Sequence, residues 1–217
     1  MGEEIMYVKK VKNLGVIFDD TLSWSPQVSA ICQKLFLTLH HLYKFQTNTP
    51  SETRLKLVNT LIMPIFDYCD FLFCDIDGDT LHHLQKSQNN AVRYVCNVKR
   101  REHITPYYKK IGLLKIRERH ELHSLVMTHK ILHGYAPAYL SDLFTVMGDV
   151  RTRPSRAHPL YLQAPRVSRD VPSKCFSVLA YRLWNNIPNT LWSCSSTTLF
   201  TIRVTNLLAQ RYHRACL

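Results

Sequence analysis

From Ser25 onward, apolar residues fall three and four positions apart, and that spacing commits most of the chain to helix. In SPQVSAICQKLFLTLHHLYKF, Val28, Ile31, Leu35, Leu39 and Leu42 share one helical face, the stripe through which an amphipathic helix is buried. Ser25 reads as its N-cap and Pro26 as its first helical residue. A second helix is expected from near Ser51, with Glu52 in its first turn, and Pro64 should kink or end it. A third, DTLHHLQKSQNNAVRYVC, presents Leu81, Leu84, Ala91, Val92 and Val95, with Lys86 and Arg93 among its polar residues. The basic stretch NVKRREHITP reads as a loop. Beyond it LLKIRERHELHSLVMTHKILHGY carries the stripe Leu122, Leu125, Val126, His129 and Leu132, and Gly134 should stop that helix.

Ahead of these helices the pattern is different. MYV and LGVIF, on either side of KKVKN, are short β-branched runs that predict a β-hairpin within residues 5–18. A lone two-stranded hairpin is marginal in water, so this end is expected to fray. Residues 148–173 are rich in Pro, Arg and Ser and read as an extended connector. Past it, Phe176, Leu179, Ala180, Leu183 and Trp184 form the apolar face of a short helix, and a last helix is expected over 195–213. The fold class is therefore mainly α. Its parts are a hairpin remnant at 1–22, a helical bundle at 23–147, and a basic linker with a helical extension at 148–217.

With 217 residues, 46% of them apolar, the chain can build one or two real cores. No stretch approaches the roughly 18 apolar residues of a membrane span. The opening MGEEIMYVKK has no apolar core of the kind a signal peptide needs, and Met6 stands where a myristoylation motif requires Ser or Thr. Seven scattered cysteines read as reduced thiols. An intracellular protein of the cytoplasm or nucleus is expected, with no membrane partner. The net charge of +12 is concentrated. Residues 84–120 hold 10 Lys/Arg against 2 Asp/Glu, and residues 150–217 hold 10 against 1, while 1–83 and 121–149 are slightly acidic. Two basic blocks point to a polyanion, most plausibly nucleic acid.

The neighbouring carboxylates Asp19 and Asp20 suggest the metal-holding pair of a nucleotidyl-transfer site. Such a site needs two or three converging carboxylates and ions about 4 Å apart. Here the pair runs into TLSWSP and a helix, with only Glu3 and Glu4 as earlier acids, so it reads as a turn and no catalytic residue is assigned. His40-His41, His82-His83, Cys69 and Cys74 lack metal-ligand spacing, so no metal site is expected. The six glycines are isolated and make no phosphate loop. NVKRREHITPYYKK is more informative. Lys99, Arg100, Arg101, Lys109 and Lys110 offer charge to phosphates, while His103, Tyr107 and Tyr108 offer faces on which bases or sugars could stack.

Several stretches occur in a telling order: VKNLGVIFDDTLSW, QVSAICQK, TPSETRLKLVNTLIMPIFDYCD, LQKSQNNAVRYVCNVKRREHITPYYKKIGLLKIRERHELHSLVMTHKILHGYAPAYLSDLF and FSVLAYRLWNNIP. Together they resemble reverse transcriptases of non-LTR (LINE-type, jockey-like) retrotransposons, in the region just downstream of the catalytic palm. The resemblance covers nearly the whole chain. It implies a primer-grip hairpin around Leu14, Gly15 and Val16, followed by a helical thumb. That thumb would grip template–primer nucleic acid through Lys86, Arg93, Lys99, Arg100, Arg101 and Lys109, contacts that position a duplex without reading its sequence. Residues after 150 would reach template RNA or target DNA further out. The family's RNA-directed DNA polymerase activity depends on palm aspartates expected upstream of this chain's start. Magnesium is accordingly expected only for that palm, with no cofactor for this stretch. The implied partners are RNA, DNA or an RNA–DNA hybrid. Two other readings stay open: a helical protein-interaction module without nucleic-acid function, and a truncated version of a complete polymerase.

Overall fold

The computed structural model describes residues 7–73, 76–150, 158–164 and 175–214. Among them the chain is mainly helical, with one two-stranded antiparallel sheet at the N-terminal end, as the sequence predicts.

Strands β1 (Lys10–Asn13) and β2 (Val16–Asp19) pair with Lys10 opposite Asp19 and Asn13 opposite Val16. The polar KVKN stretch is the first strand, and Tyr7 and Val8 of the expected MYV run lie outside it. All four β1 residues are exposed, so no apolar alternation marks this edge, and its lysines suit an unpaired strand. Leu14 and Gly15 form the connection with φ of 46° and 87°. Positive φ at both positions is what a two-residue type I′ hairpin requires. Val16 is buried, the Ile17 N–H donates to the Gln27 side-chain oxygen at 2.9 Å, and the Tyr68 hydroxyl donates to the Leu14 carbonyl. These three anchors give the hairpin neighbours that an isolated pair lacks.

Helix α1 (Ser25–Tyr43) starts one residue earlier than Ser25 as N-cap would place it, with Trp24 in the capping position at φ 63°. Val28, Ile31, Leu35 and Leu39 are buried as the stripe requires. Next come α2 (Ser51–Leu57), a π-helical turn (Val58–Ile62) and α3 (Met63–Asp67). The helix therefore runs on through Pro64 instead of stopping there. In the widened turn the Met63 N–H reaches back five residues to the Val58 carbonyl. Such a bulge takes up the missing proline N–H and the clash of its ring with the preceding turn.

Helix α4 (Gly78–Cys96) is capped by the Asp77 carboxylate, which accepts from the Thr80 N–H and hydroxyl, both at 2.7 Å. A short α5 (Thr105–Ile111) follows, with Pro106 in its first turn, so the expected loop ends two residues early and the TPYYKK stretch after it is helical. Proline in a first turn costs no hydrogen bond, which is why it is compatible with a helix here. Then come α6 (Ile116–Leu132), α7 (Met147–Val150), α8 (Phe176–Asn186) and α9 (Thr197–Arg214). Gly134, at φ 72°, closes the turn after α6 as expected. Of the connector expected at 148–173, residues 151–157 and 165–173 lie outside the described residues, and Leu162 forms a lone antiparallel bridge with Val146.

The chain divides into two compact units, Met1–Cys69 with Ile76–Ile116, and Asp70–Asp75 with Arg117–Leu217. This division cuts the bundle expected at 23–147 between Ile116 and Arg117. In the first unit, α1 and α4 bury Leu35, Leu39, Leu84, Val92 and Val95, closed over by Val58, Ile62 and Phe66. The second unit is built on aromatic contacts. Trp184 is fully buried and stacks on Trp192, with ring centroids 6.2 Å apart. Its indole N–H donates to the Leu160 carbonyl at 2.9 Å, while Asn185 clamps the backbone of Leu162 from both sides.

His129 is buried in this second unit between the rings of His133 and Phe200, 4.1 and 4.3 Å away, with Nε2 hydrogen-bonded to the Cys194 carbonyl at 2.7 Å. Burial pushes its pKa down from 6.5. The unfolded chain then binds the extra proton first, so stability is full above pH 6.5 and falls as the pH drops below it. We expect the urea midpoint to fall on acidification from pH 7 to 5, and His129→Gln to show a shallower fall. An equal pH dependence in the two proteins would locate the titrating group elsewhere.

Candidate nucleic-acid interface

Asp19 acts as a turn residue. Its carboxylate accepts from the Ser23 hydroxyl at 2.7 Å, the Ser23 N–H at 2.8 Å and the Thr21 hydroxyl at 2.9 Å. These bonds, the Ser23 hydroxyl foremost, lower its pKa. They also fold the chain back into α1, which gives Asp19 a structural part in the turn.

The basic segment has an internal frame. The Arg93 guanidinium, in the last turn of α4, donates to the carbonyls of Lys99 and, at 3.0 Å, of Glu102. The Glu102 carboxylate accepts from the Lys99 N–H at 3.3 Å and the Tyr107 hydroxyl at 3.1 Å. The hydrogen bond to Glu102 raises the Tyr107 pKa. Asn97, left-handed at φ 52°, ends α4 and starts the turn. With its backbone fastened from inside, the loop leaves Lys99, Arg100, Arg101 and His103 exposed.

Beneath the loop, Tyr108 has no exposed surface, so it offers no stacking face. Its hydroxyl lies 2.8 Å from the Gln85 amide nitrogen, 3.0 Å from the Gln88 oxygen and 2.8 Å from the Asn89 oxygen. Gln88 donates onward to the Leu114 carbonyl at 2.8 Å, and Gln85 accepts from the Ile116 N–H at 3.1 Å. The network joins α4 to α5 and to the start of α6. The far end of α4 is fixed too: Arg54 and Gln46 donate to the Tyr94 carbonyl at 3.2 and 2.9 Å, satisfying an acceptor that a helix C-terminus leaves open.

Along α1 and α4 the facing pairs advance in the same sense. The Ser87 hydroxyl donates to Cys32 Sγ at 3.4 Å, and further on the Tyr43 hydroxyl donates to the Asn90 carbonyl at 3.3 Å. Between these crossings lies a groove of about 720 Å³. Its α4 wall includes His83, Lys86, Asn89, Asn90 and Arg93, and Arg100 lies at its rim; the α1 wall includes Phe36, His40 and Tyr43. No carboxylate lines it. Burial raises the Tyr43 pKa, against the opposing pull of Arg93, so the phenol stays neutral.

Of the residues expected from sequence, this geometry brings Lys86, Arg93 and Arg100 together on one groove. Lys99, Arg101 and His103 stand on the adjoining loop, and Lys109 and Lys110 on the exposed last turn of α5. Leu14 and Gly15 sit at the hairpin turn, where Gly15 shares a cleft of about 370 Å³ with Lys12, Lys34 and Tyr68. Val16 is a core residue, out of reach of a bound strand. The α1 wall went unnoticed in sequence. Phe36, His40 and Tyr43 form a second i, i+4, i+7 series beside the apolar stripe, the one signal that marks it.

No protein family, curated protein or solved structure matches this chain. No helix among the described residues is long and apolar enough to cross a membrane.

The polar network has a measurable role. Tyr108→Phe keeps the ring but strips the Gln88 and Asn89 oxygens of a buried partner, and should lower stability by about 1–2 kcal/mol in urea unfolding. An unchanged midpoint would remove the network from the account of how the loop is placed.

Proposed function

We propose that this chain is the thumb-like region of a non-LTR retrotransposon reverse transcriptase, gripping template–primer nucleic acid through phosphate contacts and inactive as a polymerase by itself. The carrying observation is the convergence of Lys86, Arg93 and Arg100 on a groove without carboxylates, beside a loop that exposes Lys99 and Arg101. A basic surface framed by backbone hydrogen bonds suits a ligand recognised by its regular phosphate spacing. The sequence resemblance assigns the same residues to the same task, and the helical architecture agrees with a thumb. The partner is RNA, DNA or their hybrid. Asp19 and Asp20 take no part in chemistry, and no cofactor is assigned to this stretch.

The test is fluorescence anisotropy of a labelled RNA–DNA duplex across salt concentrations. Each phosphate neutralised contributes about −0.9 to the log–log slope on duplex DNA, so about four contacts predict a slope between about −3 and −4. Replacing Arg100 and Arg101 together by Ala should flatten it by about 1.8. A folded chain that binds no duplex at low salt would sink the proposal and leave the helical surface to a protein partner.

A further inference from the structure

The α1 wall of the groove offers aromatic faces that the interior of a double helix could use only by unstacking. Phe36 is 67% exposed, and its ring lies beside that of His40, one helical turn on and also exposed, with centroids 6.3 Å apart and planes inclined by 22°. Exposed aromatic surface of this kind carries a hydration cost that a ligand would remove. In a duplex the π-faces of the bases are covered by their neighbours. An unpaired base can stack on a side chain without the cost of unstacking a duplex step. The two rings are near-parallel and lie on the same helix face, so rotation about χ1 could bring them to the two sides of a planar base, whose stacking distance is ~3.4 Å.

We propose that Phe36 and His40 sandwich an unpaired base of a single strand, with Lys86, Arg93 and Arg100 on the opposite wall taking the flanking phosphates. The inference rests on the nucleic-acid reading above and adds the class of ligand: single-stranded RNA or DNA, as it leaves or enters the duplex. Size agrees. A groove of about 720 Å³ falls in the ~300–1,000 Å³ range of sites that enclose small ligands, which is room for roughly one or two nucleotides at the edge of a bound duplex. Charge agrees as well, because three cations and no carboxylate face the space. Asn89 adds a polar handle. Its side-chain oxygen already accepts from Gln85 and Tyr108, leaving amide hydrogens as what it can offer the carbonyl edge of a base.

The experiment compares a blunt RNA–DNA duplex with the same duplex bearing an unpaired overhang of about five nucleotides, by anisotropy on the full chain. The overhang should tighten binding roughly tenfold, the scale of one base–aromatic stack. Phe36→Ala should erase that preference while binding the blunt duplex as before, and Phe36→Tyr, which keeps the ring, should retain it. Phe36 lies outside the core, so the variants remain folded, as thermal melting will verify. Equal affinity for both ligands in the wild type, or a preference that survives Phe36→Ala, overturns the inference and leaves the duplex reading intact. Failure to bind either ligand overturns both. A wild-type dimer that Phe36→Ala converts to monomer, with no overhang preference, would assign the aromatic wall to a second copy of the chain.

Discussion

The hydroxyl of Tyr108 is the point on which the first unit's basic surface depends. Buried polar groups must find partners or cost free energy on the order of 1–3 kcal/mol each. At this place Gln85, Gln88 and Asn89 of α4 and Tyr108 of α5 can satisfy one another in one arrangement. That requirement fixes how α5 lies on α4. With both ends of the intervening loop placed, Arg93 and Glu102 have only to fasten its middle. The positive charge outside is arranged by neutral amides inside. This also explains why Arg93 has two tasks: its guanidinium braces carbonyls of the loop, yet its position on α4 keeps it on the groove.

Helices α1 and α4 were legible because their apolar residues repeat at helical spacing and a single stripe decides which face is buried, whereas α6 buries Ser124, Thr128 and Ile131 beside Leu122, Leu125 and His129 of its expected stripe. The start of α4 was legible to within a residue or two, and Asp77 shows why the limit lies there: a capping carboxylate and a first-turn carboxylate such as Asp79 look alike until the hydrogen bond to Thr80 is seen. Strand β1 was not legible, since a strand exposed on both faces has no pattern to repeat. Helix α5 was hidden by its own composition, a proline followed by tyrosines and lysines, and is held in place by the buried tyrosine more than by local preference. The boundary after Ile116 falls at the first residue of α6, so no linker separates the two units in the sequence there.

For the candidate site, sequence supplied the cations and the structure supplied the company they keep. Lys86 and Arg93 are seven apart on one helix, so their shared face followed from spacing. Arg100 joins them only because the loop folds back, a matter of backbone hydrogen bonds that composition does not record. Tyr107 and Tyr108 show the opposite error: adjacent in sequence and chemically alike, they divide between a surface hydrogen bond to Glu102 and a fully enclosed network.

The π-helical turn at Val58–Ile62 sets the rotation of Ser51–Leu57 relative to Met63–Asp67. A bulge of this kind amounts to one residue too many for an ordinary helix, and Pro64 stands two residues after its end. Deleting one residue there would rotate Ser51–Leu57 by about 100° about the helix axis relative to Met63–Asp67. Arg54 would swing away from the Tyr94 carbonyl that it caps, and the end of α4 that launches the basic loop would lose a support. The extra residue thus reaches a helix more than thirty residues further along the chain through the single guanidinium of Arg54.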